Sequence, residues 1–228
     1  MRPTEAGADR LPCPSLSRDS GRPQMKSTLH RRIRLTAERQ PDAPALVASD
    51  ETLCYADLDE HSSRLAFLLH SVGCRSSDRV AILLDESSRA MMVALGVLKA
   101  GCAYVPLDPE ASVPEISDIL RRTRPRAVLM GGRRPSLWEG LRARRLLEGV
   151  RVGWLGNEAP GTGVTFTMDD VAVAPPRPPD VSTGDGELAY ILFTSPRKGR
   201  PTAIPVTVSY THLRAHETVL DLVCRLLL

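Results

Sequence analysis

Apolar positions along this chain alternate between two rhythms. The continuous apolar run at residues 80–84 (VAILL) fits a strand buried on both faces, residues 103–107 predict a second buried strand, and residues 127–130 and 150–155 predict a third and a fourth strand. Between them the spacing is helical. Leu58, Leu65, Leu68, Leu69 and Val72 form one stripe of a long helix that begins at Tyr55 and is stopped by Gly73. Residues 90–98 predict a second helix, closed by Gly101. Val113, Ile116, Ile119 and Leu120 define a third, and residues 136–147 a fourth. Upstream, Leu29, Ile33 and Ala37 predict a short amphipathic helix ending before Pro41, and residues 45–48 and 52–55 predict two short strands around a turn. Strands alternating with helices at this spacing predict an α/β fold: a parallel βαβ sheet with helices on both faces.

The pattern then breaks. Residues 160–185 read as loop, with PPRPP at 175–179 as a semi-extended connector. A last apolar strand, LAYILFT at 188–194, runs straight into the polar loop SPRKGRP. Parallel-sheet proteins place ligand phosphates at such a junction. At the other end, residues 1–27 are rich in Pro, Gly and Ser and read as a disordered leader or linker, with Met25 as a plausible start.

Composition narrows the function classes. A net charge of +3, from 30 basic and 27 acidic side chains among 228 residues, gives no field that points to nucleic acid or a membrane surface. No run approaches the roughly 20 apolar residues of a spanning helix, and no signal-peptide core is visible. The five cysteines (Cys13, Cys54, Cys74, Cys102 and Cys224) form no CxxC pair. They fit buried thiols in a reducing cytoplasm better than a disulfide framework or a zinc site. The basic group Arg133, Arg134, Arg142, Arg144 and Arg145 reads as a solvated helix face, because no aromatics interleave it. His30, His61 and His70 lack partners at metal or triad spacing and read as surface groups. Asp85, Glu86 and Asp108 read as junction and turn residues rather than a carboxylate pair. No catalytic residue and no metal ligand is assigned.

Several motifs agree in order and spacing with one family. LCYADLDEHSSRLAFLL at 53–69, DRVAILLDESSRAMMVALGVLKAG at 78–101 and LKAGCAYVPLDP at 98–109 resemble the adenylation domains of nonribosomal peptide synthetases. These belong to the adenylate-forming superfamily of acyl-CoA synthetases and luciferases. PDAPAL at 41–46 fits the same pattern, and the similarity runs over residues 28–206. On this resemblance the expected fold is an incomplete N-terminal part of the adenylate-forming fold. None of these upstream motifs needs a chemical role: Lys99, for example, reads as a cation at the negative end of its helix dipole.

LAYILFTSPRKGRPTAIPV at 188–206 resembles the family's phosphate loop, typically Y-I-L-[FY]-T-S-G-[ST]-T-G-x-P-K-G. The resemblance implies that Thr194, Ser195, Lys198 and Gly199 cradle the ATP phosphates, since close backbone approach needs glycine and converging N–H and O–H donors. The loop departs from the pattern. Pro196 stands at the first glycine, Arg197 and Lys198 replace two hydroxyl residues, Thr202 replaces the lysine and Ala203 the next glycine. Base-calling error, a repurposed loop and a pseudo-domain each account for this. The C-terminal tail favours the first. VSYTHLRAHET at 208–218 and LVCRLLL at 222–228 resemble a translated sequencing adapter in one frame, so residues 207–228 are expected to be an artefact.

The resemblance implies ATP and Mg²⁺ as cofactors and an amino or aryl acid as substrate. The acceptor is a carrier-protein phosphopantetheine thiol or coenzyme A; a stand-alone acyl- or aryl-CoA ligase and a non-enzymatic short paralogue acting as a binding scaffold are the alternative readings. The Mg²⁺ carboxylate, hinge and catalytic lysine of the family all lie downstream of the region matched, so the chain itself is expected to be inactive.

Overall fold

The computed structural model describes residues 28–48, 52–85, 87–132, 134–181, 187–194 and 201–208. Helix α1 (Leu29–Arg39) precedes a two-stranded antiparallel ribbon of β1 (Pro44–Val47) and β2 (Thr52–Cys54), which leads into α2 (Tyr55–Ser71). The βαβ series comes next: β3 (Arg79–Leu83), α3 (Ser87–Lys99), β4 (Ala103–Pro106), α4 (Val113–Thr123), β5 (Ala127–Met130), α5 (Pro135–Ala143) and β6 (Arg151–Trp154). The chain continues through β7 (Phe166–Thr167), α6 (Met168–Val173), β8 (Leu188–Phe193) and β9 (Ala203–Thr207).

Seven strands form one sheet in the order β7-β6-β5-β3-β4-β8-β9. All neighbours are parallel except β8 and β9, which pair antiparallel as a hairpin. The expected helix-covered sheet is therefore present, with an antiparallel strand added at one edge. The period-2 alternation of each strand divides its side chains between two cores. Val80, Ile82, Ala127, Leu129 and Phe166 face α2, α3 and α6 on one side. Ala81, Leu83, Val105, Val128, Met130 and Trp154 face α4 and α5 on the other. This is why the central strands β3 and β5 are apolar on both faces: both are covered.

Helix boundaries follow local chemistry. Ser112 and Glu115 make a reciprocal capping box at the start of α4, with Ser112 N–H donating to Glu115 Oε2 at 2.8 Å. Helix α5 ends at Ala143 rather than continuing to 147, and turns fill the interval. The stretch read as loop at 160–185 holds β7 and α6. Their signal is a second capping box, Thr167 with Asp170, hidden in TFTMDD. A two-residue strand and a six-residue helix are too short for periodicity to register. The expected leader at 1–27, most of the adapter-like tail (209–228), Glu86 and Arg133 lie outside the described residues.

Candidate functional site

In an open parallel sheet, ligands bind at the carboxyl ends of strands where successive connections leave on opposite faces. Here β3 leads to α3 on one face, while its neighbours β4 and β5 lead to α4 and α5 on the other. Arg134 crosses this switch point. Its Nε lies 3.2 Å from Asp85 Oδ1 and its Nη2 lies 2.6 Å from Glu110 Oε1, while Nη1 donates to the Pro109 carbonyl. The crevice is thus bridged by the chain's own guanidinium, whose ionisation is raised chiefly by the hydrogen bond to Glu110. The reading of Arg134 as part of a solvated face is corrected: it ties together the loops after β3, β4 and β5. Arg142 stacks over the Trp138 ring, 5.7 Å from its centroid, and Arg145 pairs with Glu148 on the surface. Asp108 does hold a turn, accepting from Glu110 N–H at 2.8 Å.

The remaining junction is the β8–β9 hairpin. Strand β8 lies beside β4, with Tyr190 stacked on Tyr104 at 5.2 Å between centroids. The turn between Thr194 and Thr202 is closed at its base from both sides. Thr194 N–H donates to the Thr202 carbonyl (3.1 Å), and Thr202 N–H donates to Thr194 Oγ1 (3.3 Å). Arg122, from the last turn of α4, donates to the Pro201 carbonyl at 2.5 Å and lies 5.0 Å above the Phe193 ring. Of the four residues assigned to the phosphate loop, Thr194 is at this base and exposed. Ser195, Lys198 and Gly199 lie outside the described residues. Arg122 was not legible in the sequence, because a cation in a helix's last turn looks like any other. Among the described residues no three His, Cys, Asp or Glu side chains gather to hold a metal, so no Mg²⁺ ligand set is assigned to them.

Lys99 does end α3, as expected, but packing covers it. It is buried, with Nζ 2.7 Å from Asp59 Oδ1, 2.7 Å from the Asp59 carbonyl and 2.9 Å from Ser63 Oγ. This ion pair joins α3 to α2 and borders a cleft of about 460 Å³ lined by α1 and residues 178–181. His30 lines the same cleft and is half-buried, bonded to Thr28 Oγ1 at 2.9 Å. Burial, then the Lys99 charge, lower His30 from 6.5 to about 4. The unfolded chain therefore binds a proton more readily than the folded one. His30 costs no stability above pH 6.5, and stability falls as the pH drops from 6.5 to about 4. His30→Gln is expected to flatten this fall by about 1–2 kcal/mol, after discounting for solvent screening. Urea midpoints at about pH 7 and about pH 4.5 measure it.

Comparison with known proteins identifies the class first. The sheet with its hairpin has the fold of the adenylate-forming ligases, superposing on an anthranilate CoA ligase, AuaEII, with a TM-score of 0.74 over 83% of this chain and 36% of that one, at 18% identity. ATP-bound MatB from Rhodopseudomonas palustris is 26% identical, with a TM-score of 0.64 over 81% of this chain and 35% of that one. The chain belongs to the AMP-binding enzyme family, whose sequence model matches residues 33–222. Nonribosomal peptide synthetase 8 of Aspergillus fumigatus is 32% identical over 202 residues, which is 87% of this chain and 2% of that synthetase. The chain thus spans a small part of the relatives it matches. No described helix is long and apolar enough to cross a membrane.

Proposed function

We propose that this chain is the N-terminal part of an adenylation unit that activates an amino acid carboxylate for a peptide synthetase. The carrying observation is the 32% identity to a peptide synthetase across nearly the whole chain. The CoA ligase AuaEII at 18% identity supports the fold alone. In the reaction, a carboxylate oxygen attacks the α-phosphorus of ATP, and the bond to pyrophosphate breaks. The acyl-adenylate formed is then attacked at its carbonyl by a carrier-protein thiol, releasing AMP. Activation of this kind rests on positioning and on charge stabilisation of the phosphates.

Within this chain, the β8–β9 turn is the part assigned to the β- and γ-phosphates, through Thr194, Ser195, Lys198 and Gly199. Its base is held by Thr202 and Arg122. Pro196 lacks a backbone donor and locks φ, which weakens the cradle. ATP is a substrate here, and Mg²⁺ would act with residues beyond those described.

The 228-residue chain is expected to show no acid-dependent ATP–pyrophosphate exchange. Grafting residues 29–206 into a complete peptide-synthetase adenylation domain, with Pro196→Gly, Arg197→Ser, Thr202→Lys and Ala203→Gly, is expected to give amino-acid-dependent exchange. A folded chimera with the loop restored that exchanges nothing would sink the ligase reading. Exchange by the 228 residues alone would refute the assignment of essential groups downstream.

A further inference from the structure

The cleft beside α1 is separate from the hairpin, and no residue of β8 or β9 lines it. Its first wall is one face of α1. His30, Arg31, Arg34, Leu35 and Glu38 stand at i, i+1, i+4, i+5 and i+8, a stripe roughly 12 Å long. Its second wall is the segment 178–181. Val181 N–H donates to the Pro179 carbonyl at 3.0 Å, which curls this segment. Val181 closes against the end of α3: a Cβ on Gly101 would lie 3.3 Å from Val181 Cγ2. Lys99 lies at the base, between the two walls.

Two kinds of surface meet in this cleft. Pro178, Pro179, Val181 and Leu35 are apolar, and Leu35 is 39% exposed although a large aliphatic side chain. Arg31 and Arg34 present exposed guanidiniums one helical turn apart. Lys99 adds a field rather than a contact. Its three donors are already taken by Asp59 Oδ1, the Asp59 carbonyl and Ser63 Oγ. That field reaches the cleft: the His30 ring is lowered first by burial and then by the Lys99 charge. Lys99 is itself lowered first by burial, with the Arg34 charge adding to this against Asp59. The opposing charges are Glu38, 3.4 Å from Arg34, and Asp180 on the second wall.

We propose that this cleft binds an organic monocarboxylate with an apolar body, its carboxylate on Arg31 and Arg34 and its body on Leu35, Pro178, Pro179 and Val181. A cleft of about 460 Å³ has the size of a small-molecule site. Guanidiniums match the planar, two-oxygen geometry of a carboxylate. A single negative charge suits the site better than the two of a phosphate ester, because Glu38 and Asp180 repel the second. The apolar wall supplies what a bare anion would leave unused. This site goes beyond the ligase reading and does not depend on it.

The test titrates the full chain with sodium hexanoate at constant pH and ionic strength, followed by proton NMR of the histidine rings. Acetate, which keeps the charge without the body, and hexan-1-ol, which keeps the body without the charge, are titrated in parallel. Hexanoate is expected to bind saturably and to shift the His30 ring resonance while those of His61 and His70 stay in place. Acetate and hexanol should each bind about tenfold more weakly or worse. Arg31→Gln combined with Arg34→Gln should weaken hexanoate about tenfold. Glu38→Gln should tighten it by about threefold, since Arg34 loses its competing partner. All three substituted side chains are exposed on α1, so the variants keep the core intact. Absence of saturable hexanoate binding would overturn the proposal. So would hexanol or acetate binding as tightly as hexanoate, a hexanoate affinity unmoved by the double arginine variant, or weaker binding in Glu38→Gln.

Discussion

Asp59→Asn is expected to destabilise the chain by about 3 kcal/mol, and Lys99→Met by about 1 kcal/mol or less. The asymmetry follows from burial. The Lys99 side chain is 3% exposed and that of Asp59 is 23% exposed. Burial pushes the Lys99 ammonium below its ordinary range, and the hydrogen bond and charge of Asp59 push back. Removing the carboxylate charge leaves a buried cation with the residue-59 carbonyl, an amide oxygen and the Ser63 hydroxyl, none of which carries a full negative charge. Removing the lysine leaves a carboxylate that water already reaches, and methionine fills most of the vacated volume. Urea midpoints at constant m-value measure both changes. A Lys99→Met cost equal to or above that of Asp59→Asn would show that the pair is not held against burial in this way. Because α2 and α3 meet through this pair, loss of Asp59 should also loosen the cleft lined by α1.

Gly153→Val is expected to cost about 2–3 kcal/mol and to release β7 from the sheet. Gly153 sits in β6 directly beside Leu129 of β5 and Phe166 of β7. Both neighbours lean over it. A Cβ there would be 2.7 Å from Leu129 Cδ2 and would run into the edge of the Phe166 ring. Leu129 is fixed in a central strand, whereas β7 has two residues and, among the described residues, pairs with β6 alone. The weaker side gives way, and Phe166, 3% exposed, leaves the core with Val171 behind it. Hydrogen exchange should therefore accelerate at residues 165–174 and stay slow in β3 and β5. Phe166→Leu in the Gly153→Val background is expected to recover part of the loss, giving a non-additive pair. Uniform acceleration across the whole sheet would contradict this order of failure.

How far the chain could be read without its structure depended on the range of each interaction. The strands β3 and β5 were legible because a run buried on both faces has to be apolar, and β4, β6 and β8 because they are short, mainly apolar stretches between helical or loop segments. Helices α2 to α4 were legible because one stripe per helix meets the sheet. The family resemblance was carried by the same segments. By contrast, β7 and α6 escaped notice because a two-residue strand has no measurable period. The antiparallel turn to β9 escaped because Ala203–Thr207 reads like any other short apolar stretch.

The candidate site divides along the same line. The amino-acid order alone determined that a strand gives way to a polar loop near Thr194, because strand pattern and polar loop are both local properties of the chain. It could not show that Arg122 braces that loop from 79 residues away in sequence. Nor could it show that Arg134 fills the switch point or that Lys99 is buried against Asp59. Each of these contacts joins a residue whose local surroundings are ordinary to a partner on another element. A charge acquires its character from what desolvates and pairs it, and only the packed sheet and helices decided that.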